Sequence, residues 1–135
     1  MTEPDFTRIE RGHPSHTGYS GYWKHPDAHI ARSAEIGPGC YIGPNVTIAA
    51  EVVIGPNTVI GDRGFGYTTE HGEHEYREHP HGVTIGRRTR IGANTCIGRG
   101  TIRDTSSGSG TKLDNLVHIG HNVQVGRDCL LCGQV

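Results

Sequence analysis

The segment Lys112-Leu113-Asp114-Asn115-Leu116-Val117-His118-Ile119-Gly120-His121-Asn122-Val123 holds the residues best suited to chemistry. An imidazole titrates close to working pH and can take a proton from a nucleophile as it attacks. A carboxylate that meets such a ring orients it and stabilises its cation. His121 and Asp114, seven residues apart, are the candidates for this pair. His118 is the weaker alternative base. Arg99, Arg103, Lys112 and Arg127 lie close by in sequence, either to meet phosphates or simply as a solvated basic face. Two other groupings could bind metal. Cys129 and Cys132 spell C-x-x-C, but no second pair or ligand-spaced His accompanies them, so they read as reduced, structural thiols. His71, His74, His79 and His81 alternate with Glu70, Glu73, Glu75 and Glu78 without a fixed ligand spacing. They read as a solvated loop, and no metal site is assigned.

The elements that position these residues are written in a six-residue repeat. It runs Ile30-Ala31, Ile36-Gly37, Ile42-Gly43, Ile48-Ala49, Ile54-Gly55 and Ile60-Gly61. It resumes at Ile85-Gly86, Ile91-Gly92 and Ile97-Gly98, and again from Ser107-Gly108 through Leu113, Ile119 and Val125 to Leu131-Cys132. A second inward register follows four residues behind each start: Ala34, Cys40, Val46, Val52 and Thr58, then Thr89, Thr95 and Thr101, then Thr111, Val117, Val123, Cys129 and Val135. No helical stripe of threes and fours is sustained. One large and one small or β-branched residue per six suits a very short strand followed by a tight corner. Such rungs bury too little alone and must stack. At a strand spacing of about 4.8 Å, the stack would be roughly 22 Å tall.

The repeat organises the chain. Residues 1–29 precede it as a polar extension or cap, and residues 30–135 form the solenoid. A cap is needed because an open solenoid end exposes strand edges. An insertion from about 65 to 82 forms a long loop, GFGYTTEHGEHEYREHPHG, and long insertions of this kind are more often functional than accidental. A second break, Arg103 to Ser106, bulges a corner outward. In this frame His121 lies two positions past the inward Ile119, just beyond a corner and away from the core.

The repeat resembles that of the left-handed parallel β-helix acyltransferases, an all-β family in which three hexads make one triangular coil. GFGY, IGANTCIGRGTIRDT and KLDNLVHIGHNVQVG are together similar to one branch, the UDP-3-O-acylglucosamine N-acyltransferases of lipid A biosynthesis. The resemblance implies that His121 is the general base and Asp114 its support. Asn115, His118 and Asn122, with Phe65 and Tyr67 of the GFGY loop, are the candidate substrate contacts. It also implies an acyl donor held as a phosphopantetheine thioester, on acyl carrier protein or coenzyme A, with no bound cofactor. The acceptor would be the amine or hydroxyl of a sugar or nucleotide sugar, and the assembly a homotrimer with each site between two prisms. Members carry an N-terminal uridine-binding domain, for which residues 1–29 are too short. They also continue for several coils, the first of which supplies oxyanion donors and part of the acyl pocket. Two other functions fit the same fold: a non-catalytic trimeric scaffold, and a zinc enzyme like the γ-class carbonic anhydrases. The H-x4-H spacing of the zinc enzymes is missing, since Gly126 stands five residues after His121.

Composition agrees with a thin-cored repeat. Hydrophobic residues make up only 33% of the chain and there are 21 glycines. A formal net charge of −1 marks no nucleic-acid or polybasic membrane partner. No apolar run reaches the roughly 20 residues needed to span a bilayer. The N-terminus lacks an apolar signal core, and the cysteine usage is that of a reduced compartment, so a cytoplasmic location is expected.

Overall fold

The computed structural model describes residues 7–9 and 21–135. The chain winds as a parallel β-helix of three faces. One face stacks Tyr22–Lys24, Tyr41–Ile42, Val59–Asp62, Cys96–Gly98 and His118–Ile119. The second stacks His29–Ile30, Val46–Ile48, Val83–Ile85, Thr105–Ser107 and Gln124–Val125. The third stacks Glu35–Ile36, Val53–Ile54, Arg90–Ile91, Lys112–Leu113 and Leu130–Leu131. Each face thus carries five parallel rungs. Partners lie 18 residues apart from Tyr41 to Val59, 37 apart from Val59 to Cys96 and 22 apart from Cys96 to His118. Two insertions, of 19 and 4 residues, therefore interrupt an 18-residue coil without disturbing its register.

Along each rung a small residue points in, the next points out, and a large residue points in again, as strand geometry requires. Ile36, Ile54, Ile91 and Leu113 form one buried column, and Ile42, Ile60, Ile97 and Ile119 another. The small register contains threonines, whose buried hydroxyls need acceptors. They find them at corner carbonyls: Thr58 Oγ1 donates to Gly92 O at 2.6 Å, Thr95 Oγ1 to Asp114 O at 2.9 Å and Thr111 Oγ1 to Gly126 O at 2.7 Å. Asparagine suits the corners because it tolerates left-handed backbone, as at Asn45, Asn57 and Asn94, with φ of 56°, 58° and 54°. Gly55 is needed for a different reason: a Cβ there would stand 2.8 Å from Ala93 N on the adjoining rung.

The inward register departs from expectation at Thr101. The inward residues on that rung are Thr105 and Ser107, paired with Val83 and Ile85. The four extra residues are taken up before Thr105 rather than after Arg103, so Thr101 falls on the bulge and is half-buried. Val123 and Val135, expected to point inward, are exposed, and Cys129 is only half-buried.

The 19-residue insertion is more ordered than a loop. Tyr67–Glu70 and Glu73–Tyr76 pair as an antiparallel hairpin with four matched residues. Its turn is His71-Gly72, both with positive φ, as a tight two-residue turn demands. At the start of the prism, Thr7–Ile9 pairs antiparallel with Tyr22–Lys24, and Ile9 and Tyr22 are buried against the first rung. Parallel stacking therefore reaches back beyond Ile30 to Tyr22. Tyr19, expected in an aromatic cluster with Tyr22 and Trp23, lies outside the described residues. Among the described residues no helix is long and apolar enough to cross a membrane.

Candidate functional site

Three chain segments meet around His121. The first is the corner after His118–Ile119, which carries His121 and Asn122. The second is the root of the hairpin, Gly64-Phe65-Gly66. The third is the return from the hairpin, where Tyr76 and His79 lie. The His121 ring uses both nitrogens. Nε2 lies 3.1 Å from the Phe65 carbonyl oxygen, and Nδ1 lies 2.9 Å from Asn122 Nδ2.

His79 supplies the floor. Its ring stands edge-to-face with His121, with centroids 4.9 Å apart and planes at 88°. On its other side it stacks on Tyr76 at 5.3 Å, and its Nδ1 is 2.7 Å from the Tyr76 hydroxyl. It is 2% exposed, and its Nε2 is buried with no partner among the described residues. Two glycines allow this closeness. A Cβ on Gly64 would come within 2.6 Å of His79 Nε2 and 3.1 Å of His121 Cβ, and one on Gly66 within 2.9 Å of His79 Cε1. Phe65, Tyr67 and Tyr76 continue the aromatic series outward in edge contacts of 5.2 and 5.7 Å. Phe65 is 84% exposed, and with Tyr67, Thr69 and His74 it lines a cleft of about 410 Å³.

Burial pushes the His79 imidazole below its ordinary value. The Arg77 carbonyl opposes the shift, while His121 and Arg99 add to it. Burial also raises the Tyr76 phenol, which stays protonated. The sign for stability follows from linkage. The unfolded His79 takes up a proton near pH 6.5, whereas the folded one takes it up only lower, so stability present above that pH is lost as pH falls towards the folded value. His79→Phe, which keeps a stacking ring, is therefore expected to shrink the fall in melting temperature between about pH 7.5 and about pH 5.5. An equal fall in both proteins, measured by thermal denaturation, would show that His79 does not carry this linkage.

The expected site residues divide between two corners. Phe65, His121 and Asn122 come together. Asp114 and Asn115 sit one corner earlier, in a groove of about 690 Å³ that also includes Leu113, Leu130 and Leu131. Asp114 accepts from Asn115 N at 2.8 Å and Gly133 N at 3.0 Å, and no hydrogen bond joins it to His121 among the described residues. Asn115 Oδ1 accepts from Ala93 N at 2.7 Å, a bond between rungs. His118 points outward from its strand, in register with Cys96. Among the described residues no three or more His, Cys, Asp or Glu side chains stand close enough to hold a metal ion.

Sequence reasoning grouped His79 with the other loop histidines and so missed its place beneath His121. The available signal was its position beside Pro80, where the chain re-enters the prism. The closeness of Gly64 to both rings left no sequence signal.

Comparison with known proteins finds the same repeat and the same fold elsewhere. Residues 20–50 and 33–63 match the bacterial transferase hexapeptide (six repeats). A solved UDP-N-acetylglucosamine acyltransferase superposes with a TM-score of 0.57 at 25% identity, covering 79% of this chain and 47% of that one. The UDP-N-acetylglucosamine O-acyltransferase of Moraxella catarrhalis does so with 0.51 at 29% identity, covering 87% and 50%. The chain thus has a parallel β-helix fold similar to that of these solved acyltransferases, and spans about half of their length.

In sequence the resemblance is more particular, and it is to UDP-3-O-acylglucosamine N-acyltransferases. The probable mitochondrial enzyme 2 of Arabidopsis thaliana is 55% identical over 76 residues, 56% of this chain and 25% of that protein. The enzyme of Ruegeria pomeroyi is 62% identical over 52 residues, 38% of this chain and 14% of that protein. The chain spans a quarter or less of the length of these two relatives.

Proposed function

We propose that this β-helix takes part in acyl transfer from a phosphopantetheine thioester, carried on acyl carrier protein or coenzyme A, to the amine of a nucleotide sugar. The observation that carries the reading is the position of His121: outside the core, on a corner, edge-to-face with the His79 ring and hydrogen-bonded to Phe65 O and Asn122. In the reaction the acceptor nitrogen attacks the thioester carbonyl, the carbon–sulfur bond breaks, and the nitrogen sheds a proton. His121 takes that proton and returns it to the leaving thiolate. Phe65, whose carbonyl meets His121, shares with Tyr67 an apolar cleft to which Thr69 and His74 add polar edges. Within a single chain Asp114 braces two rungs through the amides it accepts, and Asn122 takes the place beside the ring. Assembly as a homotrimer and action in the cytoplasm belong to the same proposal.

The test is release of free thiol from acyl-coenzyme A and from acyl carrier protein, with and without a 3-O-acylated UDP-glucosamine. Thiol release that depends on the acceptor is expected. Release no faster than in the absence of protein, with both carriers, would remove the reading.

A further inference from the structure

The second insertion folds around one side chain. Asn122 Oδ1 accepts from three successive amides of the bulge: Thr101 N at 2.8 Å, Ile102 N at 3.0 Å and Arg103 N at 3.4 Å. Its Nδ2 donates to Thr101 Oγ1 at 2.7 Å, and its own amide donates to Thr105 Oγ1 at 3.0 Å. The backbone at Asn122 is left-handed, with φ of 66°. Three amide donors on one atom identify that atom as the oxygen, so the orientation of the side-chain amide is fixed by its network. The nitrogen is then the atom that faces His121 Nδ1, 2.9 Å away.

An amide nitrogen only donates, so His121 Nδ1 must accept. The proton of the neutral ring then resides on Nε2, which donates to the Phe65 carbonyl. In this arrangement the ring has no lone pair to spare: one nitrogen is used by Asn122 and the other carries the proton. A ring that is to take a proton through Nε2 needs its own proton on Nδ1, and Asn122 forbids that while the bulge holds it.

We infer that Asn122 and the 99–104 bulge form a tautomer lock, which holds His121 as a donor capped by Phe65 until the Asn122–His121 hydrogen bond is released. Asn122 is a positioning residue here, acting through His121. The inference rests on reading His121 as the residue that moves the proton, and it assigns a purpose to the four-residue insertion. The cap is suited to movement, since its carbonyl belongs to a residue between two glycines whose own ring is exposed.

The experiment is ¹⁵N NMR of the histidine rings in the intact protein, with His121→Gln used to assign the His121 signals. In the wild type His121 is expected to carry its proton on Nε2. Asn122→Asp preserves shape and keeps one oxygen for the three bulge amides, but turns the other towards Nδ1 as an acceptor. The ring proton is then expected to move to Nδ1. The bare Nε2 faces the Phe65 carbonyl, and backbone amide exchange over 64–66 is expected to rise about tenfold as that bond is lost. A wild-type ring protonated on Nδ1 would overturn the lock, and so would an Asn122→Asp ring that keeps its proton on Nε2. The wild-type spectrum alone decides the first point, whether or not the variant folds. Both are read without an acyl donor, so failure of the lock and failure of the transferase reading are separate results.

Discussion

Replacing His121 by alanine is expected to lower acyl transfer by about 10²- to 10⁴-fold, the range a positioned acid–base group supplies. The fold should hardly notice. His121 lies on a corner, outside the column formed by Ile97 and Ile119, and among the described residues its ring hydrogen-bonds only to the Phe65 carbonyl and to Asn122. The melting temperature of His121→Ala should therefore stay close to that of the wild type, and the loss should appear in turnover rather than in the amount of folded protein. His29→Ala is the internal control. His29 is exposed on the first rung of its face, and its removal should leave turnover within about twofold, as for surface substitutions away from a special feature. Turnover of His121→Ala within about twofold of wild type, in the thiol-release assay, would end the assignment of this residue as the base.

How much of this was legible beforehand differs between the scaffold and the site. The six-residue spacing gives the faces directly, because a strand alternates its side chains and a corner follows at a fixed offset. Ile36, Ile54, Ile91 and Leu113 are inward for that reason alone. Threonine is legible as inward only by register. Its hydroxyl would argue for the surface, and the acceptors that allow it inside, such as Gly92 O for Thr58, belong to another rung. Thr101 fails the same reasoning because an insertion has no register. Which of its residues returns to the wall is decided by Asn122, some twenty residues away, and no local pattern records that. The hairpin was hidden by its composition: Tyr67–Glu70 and Glu73–Tyr76 show no apolar face, although His71-Gly72 is a fair turn pair.

The site shows the same division. His121 could be placed past a corner by counting from Ile119. Asp114 could not be joined to it by counting, and the structure sets the two on successive corners, with the carboxylate turned to backbone amides. The partners that the structure brings to His121 are Phe65, His79 and Asn122, two of them from the first insertion. Interruptions of a solenoid are free of the demand to stack, so they can carry a glycine at a close approach or a histidine with an unpaired nitrogen. That freedom makes them useful to a site, and it also removes the periodic signal by which a sequence is read.

The scaffold itself should be sensitive at the middle of a column. Ile91 lies on the third of five rungs of its face, 1% exposed, in register with Ile54 on one side and Leu113 on the other. Ile91→Ala removes most of the side chain from a site hemmed by fixed backbone, because the rungs above and below are tied by hydrogen bonds such as Gly92 N to Leu113 O at 2.9 Å and Gly55 N to Ile91 O at 2.8 Å. The walls cannot close over the gap, which places the expected cost in the usual range of about 2–5 kcal/mol for such a truncation. Against a typical total of about 5–15 kcal/mol, that is a large share. In a stack where each rung touches only its neighbours, loss at the middle weakens two contacts, whereas loss at an end weakens one. Leu131→Ala, at the edge of the described sheet and only half-buried, should accordingly cost clearly less. Arg90→Ala, one position away but outward and exposed, should stay within about 0.5 kcal/mol of the wild type. Urea denaturation of the three variants measures the ordering Ile91, then Leu131, then Arg90. An Ile91→Ala protein no less stable than Leu131→Ala would show that the column does not bear the stability assigned to it.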